Sequence, residues 1–277
     1  MGRFPDWSVI IAVVGSGQEI NRGEAGLGEW GKAIETSPLN WVIKASPKVL
    51  SGTSDLPGGG LFDQMPSSVQ VQPDPRLHLD MNVRSPRAEN LNRWVDSLID
   101  LRITDARKTF DSIVDFPLVL TRDLKDAKKW LRDRTDDDHR CGLLANADAR
   151  RLRAWGLDTR SLRNDRAWAN WFLKPKGDVR SSNQLEIPAN NFDCQGLELD
   201  YVGMCWGSDM TYDSKAATWR TRRLRGSSWQ EARDTARNYM LNSYRVLLTR
   251  ARKGMVIWVP SSDGNDKTIN SEFLDAT

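Results

Sequence analysis

Histidine is scarce in this chain, with two among 277 residues, and so is cysteine, with three. Two histidines disfavour a histidine-built metal centre. Cys141, Cys194 and Cys205 are widely spaced and odd in number, so they form neither a disulfide framework nor a zinc pattern, and a reducing cytoplasm is the expected compartment. No run approaches the roughly 20 apolar residues of a membrane span. The first residues lack the basic, apolar and small-residue order of a signal peptide. Strong charge of one sign is missing as well, and a net +3 does not by itself mark a nucleic-acid binder. No clustered Asp/Glu/Lys set follows a pair of strands, which disfavours a two-metal nuclease.

What the chain does contain is the balance of a globular protein, 39% hydrophobic and 28% charged, at a length that allows one large domain or two small ones. Its twelve tryptophans are spread along the sequence and read mostly as packing anchors. Arginines cluster at Arg150, Arg151 and Arg153 and again at Arg220, Arg222, Arg223 and Arg225. Such clusters can grip phosphates, and a solvated face is the plainer alternative.

Val9-Ile10-Ile11-Ala12-Val13-Val14 is a continuous apolar run ending at glycine, the pattern of a strand buried on both faces. Residues 51–75, rich in Gly, Ser, Pro and Asp, predict a loop or interdomain connection. Residues 77–81 alternate as a strand does. Ser85 and Pro86 then suit the N-cap and first turn of a helix whose apolar stripe is Leu91, Trp94, Val95, Leu98 and Ile99. Strands are predicted at 117–120, 141–145, 201–206 and 254–259. Helices are predicted through Leu124, Ala127 and Leu131, over the arginine-rich stretch after a capping Asn146, and over 230–248. Strands alternating with helices give an α/β fold with a parallel sheet.

Four segments carry candidate chemistry. Gln18, just after the first apolar run, can hydrogen-bond a phosphate oxygen or a water; a polar turn is the alternative. Arg84, at a strand-to-helix junction, can take a phosphate in a bidentate grip, although arginines beside a proline turn are commonly surface residues. Gln195-Gly196-Leu197-Glu198 combines a glycine that lets backbone approach a ligand with a carboxylate able to accept from a ribose hydroxyl. Leu247-Leu248-Thr249-Arg250-Ala251-Arg252 places arginines at the end of a long helix. There one can act as a finger on a γ-phosphate or simply suit the helix dipole.

In order and wording these segments resemble the second half of superfamily-one helicases. Asn82-Val83-Arg84-Ser85 looks like motif IV, Cys194-Gln195-Gly196-Leu197-Glu198 like motif V, and the stretch from Tyr244 to Arg252 like motif VI. The longer segments Gly17-Gln18-Glu19-Ile20, Gly23-Glu24-Ala25-Gly26-Leu27-Gly28-Glu29-Trp30 and the run from Phe192 to Tyr201 resemble the bacterial Schlafen group 3-like DNA/RNA helicase domain family, with matches from about Val9 to Pro260. The resemblance implies a parallel-sheet RecA-like second helicase domain over 76–277, preceded over 1–75 by the tail of a first RecA-like domain. It also implies roles. Gln18, in the motif III position, would sense the γ-phosphate and couple it to the nucleic-acid track. Arg84 and Arg250 would contact the γ-phosphate across the domain cleft. Gly196 and Glu198, with Gln195 and Arg252 beside them, would meet phosphate and ribose.

Two departures qualify these implications. Motif III reads Gly15-Ser16-Gly17-Gln18, without the usual acid and one residue short. No G-x-x-x-x-G-K-[ST] loop and no strand-ending Asp-Glu pair occurs in the sequence, although phosphoryl transfer depends on such positioning. The expectation is the C-terminal half of an ATP-dependent helicase or translocase. It would use ATP and Mg²⁺ with a P-loop module supplied elsewhere or in trans, and single-stranded DNA or RNA would be its partner. A non-catalytic nucleic-acid-binding or interaction protein derived from a helicase is the alternative. No metal site of the chain's own is expected.

Overall fold

A computed structural model of the chain describes residues 7–13, 20, 27–52, 60–78, 86–160, 162, 164–262 and 277. They fall in two compact units, one within Met1–Glu19 and Gly23–His78, the other within Ile20–Arg22 and Leu79–Thr277.

In the first unit α1 (Leu27–Glu35), β1 (Val42–Ala45), α2 (Pro47–Ser51) and β2 (Gln70–Pro73) surround a small core of Leu27, Leu50, Leu61 and Phe62. Ser46 caps α2 by accepting from the Val49 N–H, and Pro47 occupies its first turn. β2 pairs in parallel with β1, so the predicted connection over 51–75 contains a strand. Four residues suffice because Val71 packs on the Leu50 cluster, a contact that the surrounding Gly and Pro composition conceals. The strand predicted over 77–81 begins instead in a 3-10 turn, Pro75–Leu77, capped by Asp74; residues 79–81 lie outside the described residues. Residues 9–13, predicted as a doubly buried strand, carry no strand and are exposed. An apolar run is buried only where neighbouring strands cover it, and no described strand pairs with this one.

The second unit is built on α3 (Pro86–Ile99), α4 (Ile103–Asp111), β3 (Leu118–Thr121), α5 (Leu124–Arg134), β4 (Cys141–Ala145), α6 (Asp165–Leu173), β5 (Ala189–Asn190), β6 (Leu199–Cys205), β7 (Met210–Asp213), β8 (Thr218–Arg225), β9 (Ser228–Glu231), α7 (Asp234–Leu248) and β10 (Ala251–Trp258). Five strands form one parallel sheet in the order β3-β10-β6-β4-β5. Side chains alternate across it with the two-residue period of a strand. Leu144, Val202, Met204, Met255 and Ile257 enter one core with Leu91, Val95, Trp171, Tyr244 and Leu247, whereas Leu143, Cys205, Val256 and Trp258 enter a second with Ala127, Leu131 and Leu152. Helical segments thus cover both faces, as a parallel sheet requires. Ten of the twelve tryptophans are buried or half-buried, Trp7 and Trp30 being exposed, in keeping with their reading as anchors. No helix among the described residues is long and apolar enough to cross a membrane.

Two predicted helices are corrected here. The one over 230–248 starts only at Asp234, because Ser228–Glu231 pairs antiparallel with β8 in a second, three-stranded sheet, β7-β8-β9. The arginine-rich stretch is a 3-10 segment, Arg150–Trp155, and Asn146 closes a turn on the Asp148 N–H instead of capping a helix.

Leu131 is fully buried between α5 and the sheet. Leu131→Ala leaves a cavity there and is expected to cost about 2–5 kcal/mol. Urea denaturation measures it, and a loss below about 1 kcal/mol would show that α5 collapses onto the gap.

Candidate functional site

Two edges of the parallel sheet gather polar chemistry. At the amino edge, β6 and β10 begin side by side: Ala251 is in register with Leu199, and the Leu199 N–H donates to the Arg250 carbonyl at 3.0 Å. The pairing brings residues 195–198 against 249–252. Arg252 Nε lies 4.0 Å from Glu198 Oε2, and the Arg252 side chain is 58% exposed. Gly196 has φ +74°, a left-handed value that favours glycine, and no atom lies within 4 Å of where a β-carbon would stand. Gln195 is exposed beside it. The open turn, the carboxylate and the exposed guanidinium therefore share one surface. Arg250 differs, being 6% exposed. Its Nε donates to the Val246 carbonyl at 2.9 Å and its Nη2 to Thr249 Oγ1 at 3.3 Å, so it satisfies the end of α7, where carbonyls lack helical partners. Arg245, earlier on α7, clamps α3 through Asp96 and Asp100, both at 2.8 Å. Burial pushes the neighbouring Cys194 thiol up to about 12, which keeps it protonated and inert.

Ligand sites in open α/β sheets lie beyond the carboxyl ends of strands where adjacent connections diverge. Here the divergence falls between β4, whose chain proceeds to β5, and β6, whose chain proceeds to β10 on the other side. A cleft of about 340 Å³ opens at that edge. Four arginines line it: Arg150 after β4, Arg160 beyond it, and Arg223 and Arg225 on β8. The strand period explains why only half of the second arginine cluster takes part. Arg223 and Arg225 share the cleft side, while Arg220 pairs with Glu231 and buried Arg222 donates to the Ser208 carbonyl and lies over the Trp229 ring. Arg223 is held by Asp148 at 2.8 Å, and Arg150 donates to the Leu224 carbonyl at 3.4 Å. Phe192, 48% exposed, and Tyr239 add aromatic surface to the lining. Positive charge beside aromatic rings suits a phosphate backbone with stacked bases.

Beneath this cleft lies a buried polar network. Asp209 is fully buried after β6. Tyr244 Oη donates to its Oδ1 at 3.1 Å, and Asn146 Nδ2 donates to its Oδ2 at 2.9 Å. The Gly207 N–H donates to Tyr244 Oη in turn. A β-carbon on Gly207 would stand 2.1 Å from Asp209 Oδ1, so this turn admits only glycine without rearrangement. Desolvation, then repulsion by Asp148, pushes the Asp209 carboxyl up to about 7. Sequence reasoning missed Asp209. The available signal was its position, an acid just past the carboxyl end of a buried strand.

Of the residues proposed from sequence, the structure brings Gln195, Gly196, Glu198, Arg250 and Arg252 together at the amino edge, not at the carboxyl edge where α/β ligands usually sit. Gln18 and Arg84 lie outside the described residues. Among the described residues no three His, Cys, Asp or Glu side chains gather to hold a metal ion.

The five-stranded parallel sheet, with helices on both faces and polar sites at its edges, defines a RecA-like α/β domain. The family described as Schlafen group 3, DNA/RNA helicase domain, matches residues 3–261, nearly the whole chain, and the chain belongs to it. It is a helicase-related protein. No curated protein matches the sequence.

Asp209 sets a pH dependence of stability. In an unfolded chain its carboxyl ionises near 3.8 and in the folded chain near 7. Between those values the folded state keeps a proton that the unfolded state has lost, so the contribution of this group is greatest below 3.8 and is lost as pH rises to 7. Asparagine does not titrate. Urea denaturation is therefore expected to show wild type losing stability relative to Asp209→Asn from pH 4 to 7 and no further change above. Parallel curves for the two proteins would place the ionisation of Asp209 at an ordinary carboxylate value.

Proposed function

We propose that this chain is the C-terminal half of an ATP-dependent DNA or RNA helicase or translocase. In this reading it binds a single strand in the arginine-lined cleft and faces nucleotide, held on a P-loop module elsewhere, with its amino edge. One observation carries the reading: the two edges are joined by two continuous stretches of chain. β5 ends level with the carboxyl end of β6, Asn190 and Cys205 both pairing with Ala145, and β6 starts at Leu199. Residues 191–198 therefore descend the sheet, about 20 Å at strand rise. Asn191 and Phe192 line the cleft at the top, and Gly196 and Glu198 stand at the bottom. α7 runs the same way: from Tyr239 in the cleft to Arg250 at the amino edge it carries the chain about 16 Å at helical rise.

The residues fit a nucleotide in part. Gly196 would let backbone approach a phosphate, Glu198 would accept from a ribose hydroxyl, Arg252 would meet phosphate, and Gln195 stands beside them. Hydrolysis of ATP with Mg²⁺ would supply the driving force. Arg84 and Gln18 keep the γ-phosphate and coupling roles that the family motifs give them. Arg250 favours a second reading, a nucleic-acid-binding protein without turnover, because its guanidinium already serves the end of its own helix.

Fluorescence anisotropy with a labelled single-stranded oligonucleotide, without nucleotide, tests the cleft. Arg150→Ala and Arg223→Ala are each expected to weaken binding and to reduce the slope of log affinity against log salt by about 0.7, one phosphate contact on a single strand. An unchanged slope in both would remove the cleft from the nucleic-acid track. Turnover separates the two readings. In a complex with a P-loop half, Arg250→Ala is expected to lower the ATP hydrolysis rate by about 10³-fold or more if Arg250 acts on the γ-phosphate. Unchanged turnover would leave Arg250 a helix-capping residue only.

A further inference from the structure

Among the described residues Asp209 is the only buried acid, and its surroundings are directional. Tyr244, on α7, accepts from the Gly207 N–H, so its own proton is committed to Asp209 Oδ1. Asn146, in the turn after β4, gives its Nδ2 to Asp209 Oδ2 while its Oδ1 accepts from the Asp148 N–H at 3.3 Å. Arg222 on β8 attracts the carboxylate, and Asp148 repels it. Every hydrogen bond to the carboxyl oxygens thus comes from a donor, the arrangement that suits the ionised form. A proton on Oδ2 would meet the Asn146 NH₂ group and have no acceptor. Turning the Asn146 amide over would present Oδ1 to that proton and withdraw it from the Asp148 N–H. Asp148 is the residue that holds Arg223 at the cleft.

We propose that Asp209 is a proton-linked positioning residue for the cleft: binding of a nucleic-acid strand is coupled to proton uptake from solvent by Asp209, with the Asn146 amide as the two-position element between them. The inference rests on the single-strand reading of the cleft. Two effects drive the coupling in the same direction. A phosphate against Arg223 adds negative charge on the side where Asp148 already repels Asp209. It also competes with Asp148 for Arg223, which leaves the Asp148 charge less compensated. Both favour the neutral carboxyl. Because linkage is reciprocal, a ligand that favours the protonated form binds that form more tightly. Free Asp209 titrates near 7, so the coupling is read across neutral pH.

The test is anisotropy with an oligonucleotide carrying a label that does not titrate between pH 6 and 8.5, at constant ionic strength. Wild type is expected to bind about sevenfold more tightly at pH 6 than at pH 8.5, the change for a shift of roughly one pH unit on binding. Asp209→Asn, neutral and of the same shape, is expected to bind with the low-pH affinity throughout. Tyr244→Phe removes a donor to the ionised carboxyl and is expected to move the midpoint to higher pH. This second variant keeps the test sound if Asp209→Asn misfolds in a thermal melt. A flat wild-type profile, or a wild-type slope retained in Asp209→Asn or unmoved in Tyr244→Phe, overturns the proposal while leaving strand binding in place. Absence of binding at every pH removes the single-strand reading and the linkage with it.

Discussion

A parallel strand can be re-entered only from the edge at which its neighbours begin, so every connection in such a sheet must travel its full depth. The rest of this structure depends on that constraint. Most of the travelling is done by helices, and these bury both faces of β4, β6 and β10. The exception is the passage from β5 to β6, which descends through residues 191–198 without a helix. Cys194 and Leu197 anchor it in the core. Cys194 N–H donates to the Asn190 carbonyl, and Trp168 Nε1 donates to the Asp193 carbonyl at 2.7 Å. A non-helical backbone can lie so close to a core only because its polar groups find partners of this kind.

The same constraint sets what the carboxyl edge can become. Where the chain from β4 and the chain from β6 part, their loops cannot cover one another, and a cleft remains. The second sheet fills one side of it. β8 carries arginine on both of its faces, and burial sorts them: Arg222 is taken inward over Trp229, and Arg223 and Arg225 are left to the cleft. Asp148 offsets one of these charges. It does so at a cost to Asp209 below it, because two carboxylates in this neighbourhood disfavour one another's ionised form. The Asp209 carboxyl is thus raised first by its burial and further by the Asp148 charge that holds Arg223 at the cleft.

Much of this was legible in the sequence. The strands β3, β4, β6 and β10 and the helices α3 and α5 follow from apolar runs and stripes, because burial on one or both faces imposes a period. The amino-edge grouping of Gly196, Glu198, Arg250 and Arg252 was legible as motif wording, although only the β6–β10 register shows that the two motifs touch. The strands β2, β7, β8 and β9 were not legible. β8 reads Thr-Trp-Arg-Thr-Arg-Arg-Leu-Arg, and nothing in that composition distinguishes a solvated basic segment from a strand whose alternate residues reach a core. The convergence of Arg150 with Arg223, and the contact of Asn146 with Asp209, join residues more than sixty positions apart. Local periodicity carries no information about such pairs.

Coupling between two sites about 20 Å apart needs an element with two discrete arrangements that both sites bias. A close-packed core does not supply it, because packed side chains resist continuous deformation. In the proposed linkage the Asn146 amide does, since turning it over would present different atoms to Asp209 and to the Asp148 N–H. Tyr244 reads the same carboxyl from the opposite side, and it stands on α7, the helix whose last turn is closed by Arg250. A change in the charge of Asp209 therefore acts on a hydrogen bond made by α7 itself. Within the proposed reading, occupancy of the cleft reaches the amino edge along that helix, and the buried carboxyl is the point at which the two edges are joined.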